Sequence, residues 1–225
     1  MWVQVSKSTK VDLIKKLGIE PEKITVVYEG FDKNLFKPVK NNRPKTYFLF
    51  VGTVQPRKNL ERLIKAFSCW LLAIGEKRKA NSEQLIIAGQ KGWMSDEIYK
   101  LPKKLGIEKR VKFLGYVPEK DLPALYAGAK ALVFPSIFEG FGLPILEAQA
   151  CGCPVLTSNV SSMPEVGGKG AVYVNPYDID DIVKGMGSCQ LSAVSCQLIK
   201  AGFENIKRFS WEKCAAQTLE VLERI

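Results

Sequence analysis

Short apolar runs recur along the chain, with amphipathic stretches between them. Tyr47 to Gly52, Gln84 to Gly89, Val111 to Gly115, Ala131 to Pro135, Pro154 to Ser158 and Ala171 to Val174 each read as a strand. Between them, helices are predicted from about Asn59 to Ile74, around Asp96 to Leu105 and from Asp121 to Ala129. Strands this short and apolar, separated by helices, predict an α/β fold with a doubly wound parallel sheet covered on both faces. The C-terminal third reads as helical. Asp178 is placed to cap a helix through Ile182 and Val183, and a longer helix is expected from Ser192 to Phe209. Ser210 caps a last helix to Ile225, with Glu212 in its first turn.

The pattern before Lys45 is different. Val3 to Val5, a helix at Ser8 to Leu17 and a strand at Ile24 to Tyr28 form only a fragment of a sheet. Two strands cannot bury their faces alone. Residues 1–36 are therefore expected to be the remnant of another, N-terminal domain, docked loosely or mobile. A polar, proline-flanked linker is expected at residues 37–45, followed by the main domain at 46–225.

Composition narrows the chemistry. The chain has 225 residues and a net charge of +10, which favours phosphate-bearing partners. It has no histidine, which excludes Ser-His-Asp and Cys-His catalysis and histidine metal sites within the chain. The six cysteines form no CxxC pair and read as free thiols in a reducing compartment. No run approaches the ~20 apolar residues of a membrane span, and Met1 to Lys10 does not resemble a secretory signal. The expected location is cytoplasmic, with peripheral contact at the inner face of the membrane as a further option.

Two strand ends carry candidate chemistry. Doubly wound sheets bind ligands beyond the carboxyl ends of their strands. After Ala131 to Pro135 comes Ser136-Ile137-Phe138-Glu139-Gly140-Phe141-Gly142-Leu143-Pro144-Ile145-Leu146-Glu147. Pro144 suits a first helical turn, and Gly142 allows a tight approach to a ligand. The loop should deliver free N–H groups and a positive helix end to an anion. Glu139 and Glu147, on either side of that spot in sequence, would accept hydrogen bonds from hydroxyls of the same ligand. After Tyr47 to Gly52 the loop carries Arg57 and Lys58, a planar fork and a point charge suited to phosphate. A sugar joined to a nucleoside diphosphate fits both loops.

The segment Glu139-Gly-Phe-Gly-Leu-Pro-Ile-Leu-Glu147 resembles the paired-glutamate motif of the family 4 retaining glycosyltransferases, which have the GT-B fold of two facing Rossmann-like domains. Phe50-Val51-Gly52-Thr53 with Pro56-Arg57-Lys58-Asn59, Phe113-Leu114-Gly115-Tyr116-Val117, and Cys151-Gly152-Cys153-Pro154-Val155 agree with it in order. The resemblance implies that residues 45–225 are the C-terminal, donor-binding half of a GT-B fold. It also implies that Glu139 meets the donor sugar, and that Gly140, Phe141, Gly142 and Leu143 present backbone to sugar and diphosphate. Glu147 would hold the ribose, and Lys58, with Arg57 and Gly52, would line the diphosphate. Tyr116 and Val117 would lie near the base. Val-Gly-Thr followed by Pro-Arg-Lys-Asn is most similar to mannosyltransferases, which makes GDP-mannose the first choice of donor and another GDP- or UDP-hexose the next. The acceptor would be a glycan or a lipid-linked sugar, with acceptor contacts from an N-terminal domain, in the same or a partner chain.

Thr53 stands where many such enzymes have arginine, leaving Arg57 as the substitute. Asp178-Ile179-Asp180 spells a metal-binding DxD but opens a helix, so capping is expected and no metal or cofactor. The basic residues of Lys100 to Lys112 lack an aromatic platform, which argues against nucleic acid. Two alternatives remain: a non-catalytic module that binds nucleotide-sugar or a partner, and an NAD-type oxidoreductase domain, disfavoured by the missing GxGxxG.

Overall fold

The computed structural model describes residues 1–39, 46–75 and 83–224. Residues 40–45 of the expected linker lie outside them. The first elements are β1 (Trp2–Gln4), α1 (Lys7–Leu17) and β2 (Ile24–Val26). Then follow β3 (Tyr47–Val51), α2 (Leu60–Ile74), β4 (Gln84–Ala88), α3 (Asp96–Lys104), β5 (Val111–Gly115) and α4 (Leu122–Gly128). The second half carries β6 (Ala129–Phe134), α5 (Leu143–Ala150), β7 (Val155–Ser158), α6 (Met163–Gly167) and β8 (Ala171–Val174). Three helices close the chain: α7 (Ile179–Ser188), α8 (Ser192–Asn205) and α9 (Trp211–Leu222).

The main sheet has six strands in the order β5-β4-β3-β6-β7-β8, and every pairing in it is parallel. Consecutive residues of β3, β4, β6 and β7 are buried, so both faces of the sheet are covered, as continuous apolar runs require. The helices form two groups, α2 against α3 and α7, and α5 against α4, α6 and α8. Phe48 meets Trp70 edge-on at 5.1 Å, and Phe50 stacks on Phe134 at 5.7 Å between the central strands.

Strand order reverses between β3 and β6, which are neighbours in space but far apart in sequence. A crevice opens at such a reversal, because the loops leave the two strands toward opposite faces. Both candidate loops issue from these two strands. Asn59 fastens them: its Nδ2 donates to the Pro135 carbonyl (2.9 Å) and to the Pro176 carbonyl (2.6 Å). Its backbone is left-handed, φ 60°, a conformation asparagine tolerates better than most residues.

The caps expected at Asp178 and Ser210 are present. Asp178 accepts from the Asp180 and Asp181 amides, and Ser210 accepts from Lys213. The helix expected from Ser192 to Phe209 ends earlier, at Asn205, and a 3-10 turn (Ile206–Arg208) follows. The buried Asn205 side chain explains the break, since its Nδ2 is held by Gln149 Oε1 and the Val166 carbonyl.

Residues 1–36 are fastened rather than loose. β1 and β2 pair in parallel, while Phe31 and Phe36 enter the main core. Tyr28 packs in an aromatic group with Phe141 and Phe209. Gly30 fits tightly against α9: a Cβ there would lie 2.1 Å from the Trp211 amide nitrogen. Trp2 and Val3 stay exposed, as expected of a sheet with two strands.

Candidate functional site

Pro56–Lys58 forms a 3-10 turn after β3, and this turn folds Lys58 inward and leaves Arg57 exposed at the rim. Lys58 is buried, at 8% exposure. Its Nζ lies 2.6 Å from Glu139 Oε1, and Arg57 Nη1 lies 2.7 Å from Glu139 Oε2. Arg57 also donates to the Phe138 carbonyl at 2.9 Å, and its own carbonyl accepts from Ile137. One carboxylate thus bridges two cations across the crevice between β3 and β6. Burial pulls the Lys58 amine below its usual range, against the opposing attraction of Glu139. Phe134 lies beneath it, with Nζ 5.2 Å from the ring centre.

The glycine loop then enters α5. Gly142, at the amino cap, has φ 122°, a conformation that favours glycine. No side chain caps this helix. Among the described residues, no acceptor takes the N–H groups of Phe141, Gly142 or Leu143. Unsatisfied donors at a helix start, beside two cations, are a geometry suited to an anion. Gly140 is half-buried, and the Phe141 side chain is buried in the group with Tyr28 and Phe209, so of Phe141 only the backbone is available to a ligand.

Glu147 lies one turn into α5, and its environment is unlike that of Glu139. Its Oε2 accepts from the buried Tyr126 hydroxyl of α4 at 2.7 Å. Burial raises its pKa to about 7, although the Tyr126 hydrogen bond pulls the other way and the charge of Glu119 adds to the rise. The two glutamates therefore differ: one is ion-paired, and the other is poised to change charge near neutrality.

Gly52, Tyr116 and Val117 lie together in the structure. With Val51, Thr53, Ala88, Gly89, Gln90 and Leu122 they line a pocket of about 310 Å³ at the ends of β3, β4 and β5. Leu122 stands one turn before Tyr126 on α4, which links this pocket to Glu147. Gly89 lets the two strand ends meet, since a Cβ there would lie 1.9 Å from the Gly52 carbonyl oxygen.

Sequence reasoning missed the residues that hold the loop. Ser161 Oγ accepts from the Glu139 amide and donates to the Glu139 carbonyl, and Ser162 Oγ reaches the Phe141 carbonyl. It also missed Tyr126, Gln90 and Glu165. The Ser161-Ser162-Met163-Pro164-Glu165 run, a hydroxyl pair before a proline-started helix, was the available signal. Among the described residues no cluster of three acidic, cysteine or histidine side chains could hold a metal, and no helix is long and apolar enough to cross a membrane.

Comparison with known proteins agrees with this geometry. The family described as glycosyl transferases group 1 matches residues 31–190. The O-antigen chain mannosyltransferase B of Escherichia coli is 41% identical over 174 residues, 77% of this chain and 44% of that protein. The O-antigen chain mannosyltransferase RfbU of Salmonella typhimurium is 35% identical, over 77% of this chain and 46% of that protein. The chain thus spans less than half the length of these two relatives. Among solved structures, the sucrose-phosphate synthase of Thermosynechococcus elongatus superposes with a TM-score of 0.84 at 25% identity, over 99% of this chain and 57% of that one. Anabaena HepE, solved with UDP-glucose, superposes at 0.84 and 21% identity, over 99% and 63%. From its sheet order, its strand-end loops and these matches, the chain belongs to the glycosyl transferases group 1 family and has the Rossmann-like fold of a GT-B glycosyltransferase domain.

Proposed function

We propose that this chain is the donor-binding half of a retaining glycosyltransferase that moves a hexose from a nucleoside diphosphate to an acceptor hydroxyl. The observation that carries this reading is the Glu139 carboxylate bridging Lys58 and Arg57 across the β3/β6 crevice, beside the unfilled amide groups that open α5. In the bound state, the sugar hydroxyls would donate to Glu139. Lys58, Arg57 and the N–H groups of Phe141, Gly142 and Leu143 would turn to the diphosphate. They would stabilise the charge that builds on it as the glycosidic bond breaks, and no metal is required. The pocket at Tyr116 and Val117, of about 310 Å³, has room for a base, at the small end of ligand pockets. Glu147 would take the ribose hydroxyls.

Mannose is the preferred sugar and GDP-mannose the preferred donor, because both O-antigen relatives are named mannosyltransferases. The acceptor is proposed to be a growing glycan or a lipid-linked sugar. Its binding wall would come from a second domain of the kind those longer relatives have room for. Calorimetry with GDP-mannose, UDP-glucose and ADP-glucose tests the reading. One site per chain, tightest for a GDP-sugar, is expected. Heat-silent titrations with all three would overturn it.

A further inference from the structure

Glu165 projects from the five-residue helix α6 to the start of α1. Its Oε1 accepts from the Lys7 amide at 2.9 Å and the Tyr28 hydroxyl at 2.6 Å, and its Oε2 accepts from the Lys7 and Ser8 amides at 3.0 and 3.4 Å. The other two amides of the first turn of α1 are also satisfied: Thr9 donates to Ser6 Oγ and Lys10 to the Ser6 carbonyl. α1 has no acidic residue in its first turn. Glu165 supplies that missing negative charge from more than 150 positions away in sequence. The Arg208 side chain donates to its carbonyl at 3.3 Å, which ties the same residue to the 3-10 turn after α8.

This contact lies close to the donor loop in two senses. Ser161 and Ser162, immediately before α6, hold the main chain of Glu139 and Phe141. Ser161 does so with a left-handed backbone, φ 58°, a costly conformation for a residue with a side chain. Ser162, the amino cap of α6, and Glu165 lie within one helical turn of each other. In addition, α1 lies over the loop itself. The Thr9 hydroxyl reaches the Gly140 carbonyl at 3.4 Å, and Lys16 stands 5.7 Å over the Phe138 ring. Val5 lies so near Gly140 that an added Cβ there would touch it at 3.7 Å.

We propose that Glu165 is a positioning residue: by capping α1 it clamps residues 1–28 onto the glycine loop and so sets where Glu139 meets the donor sugar. The proposal rests on the donor-binding reading of the loop. It predicts a division of labour. Tyr116 and Lys58 stand on other elements, and Glu147 lies inside α5, beyond the Phe138–Gly140 stretch that α1 covers, so only the loop amides are shared between the two halves of the donor. Loss of the clamp should therefore weaken the sugar's share of binding and spare the nucleotide's.

The experiment compares Glu165→Ala and Glu165→Gln with the unaltered chain, by calorimetry with GDP and with GDP-mannose at one pH. Hydrogen exchange of residues 137–142 is followed in parallel. Glu165→Ala should weaken GDP-mannose roughly tenfold, the equivalent of one net hydrogen bond, leave GDP within about twofold, and speed exchange at 137–142. Glu165→Gln keeps an acceptor for the Lys7 amide and should lie close to the unaltered chain. Equal weakening of GDP and GDP-mannose would mean general loosening and overturn the proposal. So would unchanged affinity for both with α1 released. If the unaltered chain binds neither ligand, the donor-binding reading itself fails, which is a separate result.

Discussion

Replacing Tyr126 with phenylalanine should move the pH dependence of donor binding without moving its upper limit. Glu147 is raised to about 7 from the usual 4.5 by burial, and the Tyr126 hydrogen bond at 2.7 Å is the contact that restrains the rise. A hydrogen bond to a charged group contributes about 1.5–3 kcal/mol, which is about 1–2 pKa units at 1.36 kcal/mol each. In Tyr126→Phe the Glu147 midpoint should therefore rise to about 8–9. Ribose hydroxyls donate more strongly to Glu147 when it is ionised. At pH 7 the ionised share would fall from about one half to about 1–10%, so affinity should fall, by up to about 5- to 50-fold. At pH 9 the two proteins should agree within about twofold. Without ligand the sign is opposite. The raised carboxyl favours the native state fully below pH 4.5, and that contribution is lost as pH rises through about 7. Donor affinity and unliganded stability should thus run in opposite directions across this window. The assay is calorimetry with GDP-mannose from pH 5.5 to 9, since the diphosphate of a nucleotide-sugar has no group titrating there. Circular dichroism checks that the variant is folded. A pH-independent affinity, or the same midpoint in both proteins, would refute the role given to Glu147.

Other outcomes follow from the same geometry. Lys58→Ala and Glu147→Ala should each weaken GDP-mannose binding by roughly 1.5–3 kcal/mol while the domain stays folded, Arg57 still pairing with Glu139 at 2.7 Å; calorimetry beside thermal melts reads both. Titration in EDTA should give the same affinity as in magnesium, because cations and amides of the protein meet the diphosphate, and a large loss in EDTA would point to a missing metal. Gly89→Ala should cost roughly 1–3 kcal/mol of stability by overpacking and widen the gap between the ends of β3 and β4, since its Cβ would meet the Gly52 carbonyl at 1.9 Å; a melting temperature equal to that of the unaltered chain would count against the packing described. The 225-residue polypeptide by itself should bind donor yet transfer no labelled mannose to lipid-linked or oligosaccharide acceptors, and sustained transfer by a monomer would show that one wall of the cleft suffices.

The four inner strands of the main sheet were legible because each is an apolar run buried on both faces, as in Tyr47 to Val51, while the edge strands β5 and β8 are only partly buried. The caps at Asp178 and Ser210 were legible because capping is local: acceptor and donors lie within three residues. Strand order has no local signature, so the adjacency of β3 and β6, which turns two basic and acidic loops into one site, appears only in three dimensions. The same holds for Lys58, whose burial depends on Glu139, 81 positions away. It holds also for Glu147, whose raised pKa comes from burial in the folded domain and not from its neighbours in sequence. Residues 1–36 were read as a fragment in search of a sheet. Their local pattern could not show that Glu165 and the Phe141–Phe209 pair would hold them. Asn205 looked like one more helical residue, yet its side-chain amide is held by Gln149 and Val166, and the helix ends there.

The central claim is that one donor molecule bridges the two strand-end loops. Hydrogen exchange measured by mass spectrometry, with and without saturating GDP-mannose, tests it most directly. The account predicts slowed exchange together in three stretches: residues 52–59, residues 114–118 and residues 137–147. Protection confined to other surfaces, or absent from either the 52–59 or the 137–147 stretch while the ligand is bound, would contradict it.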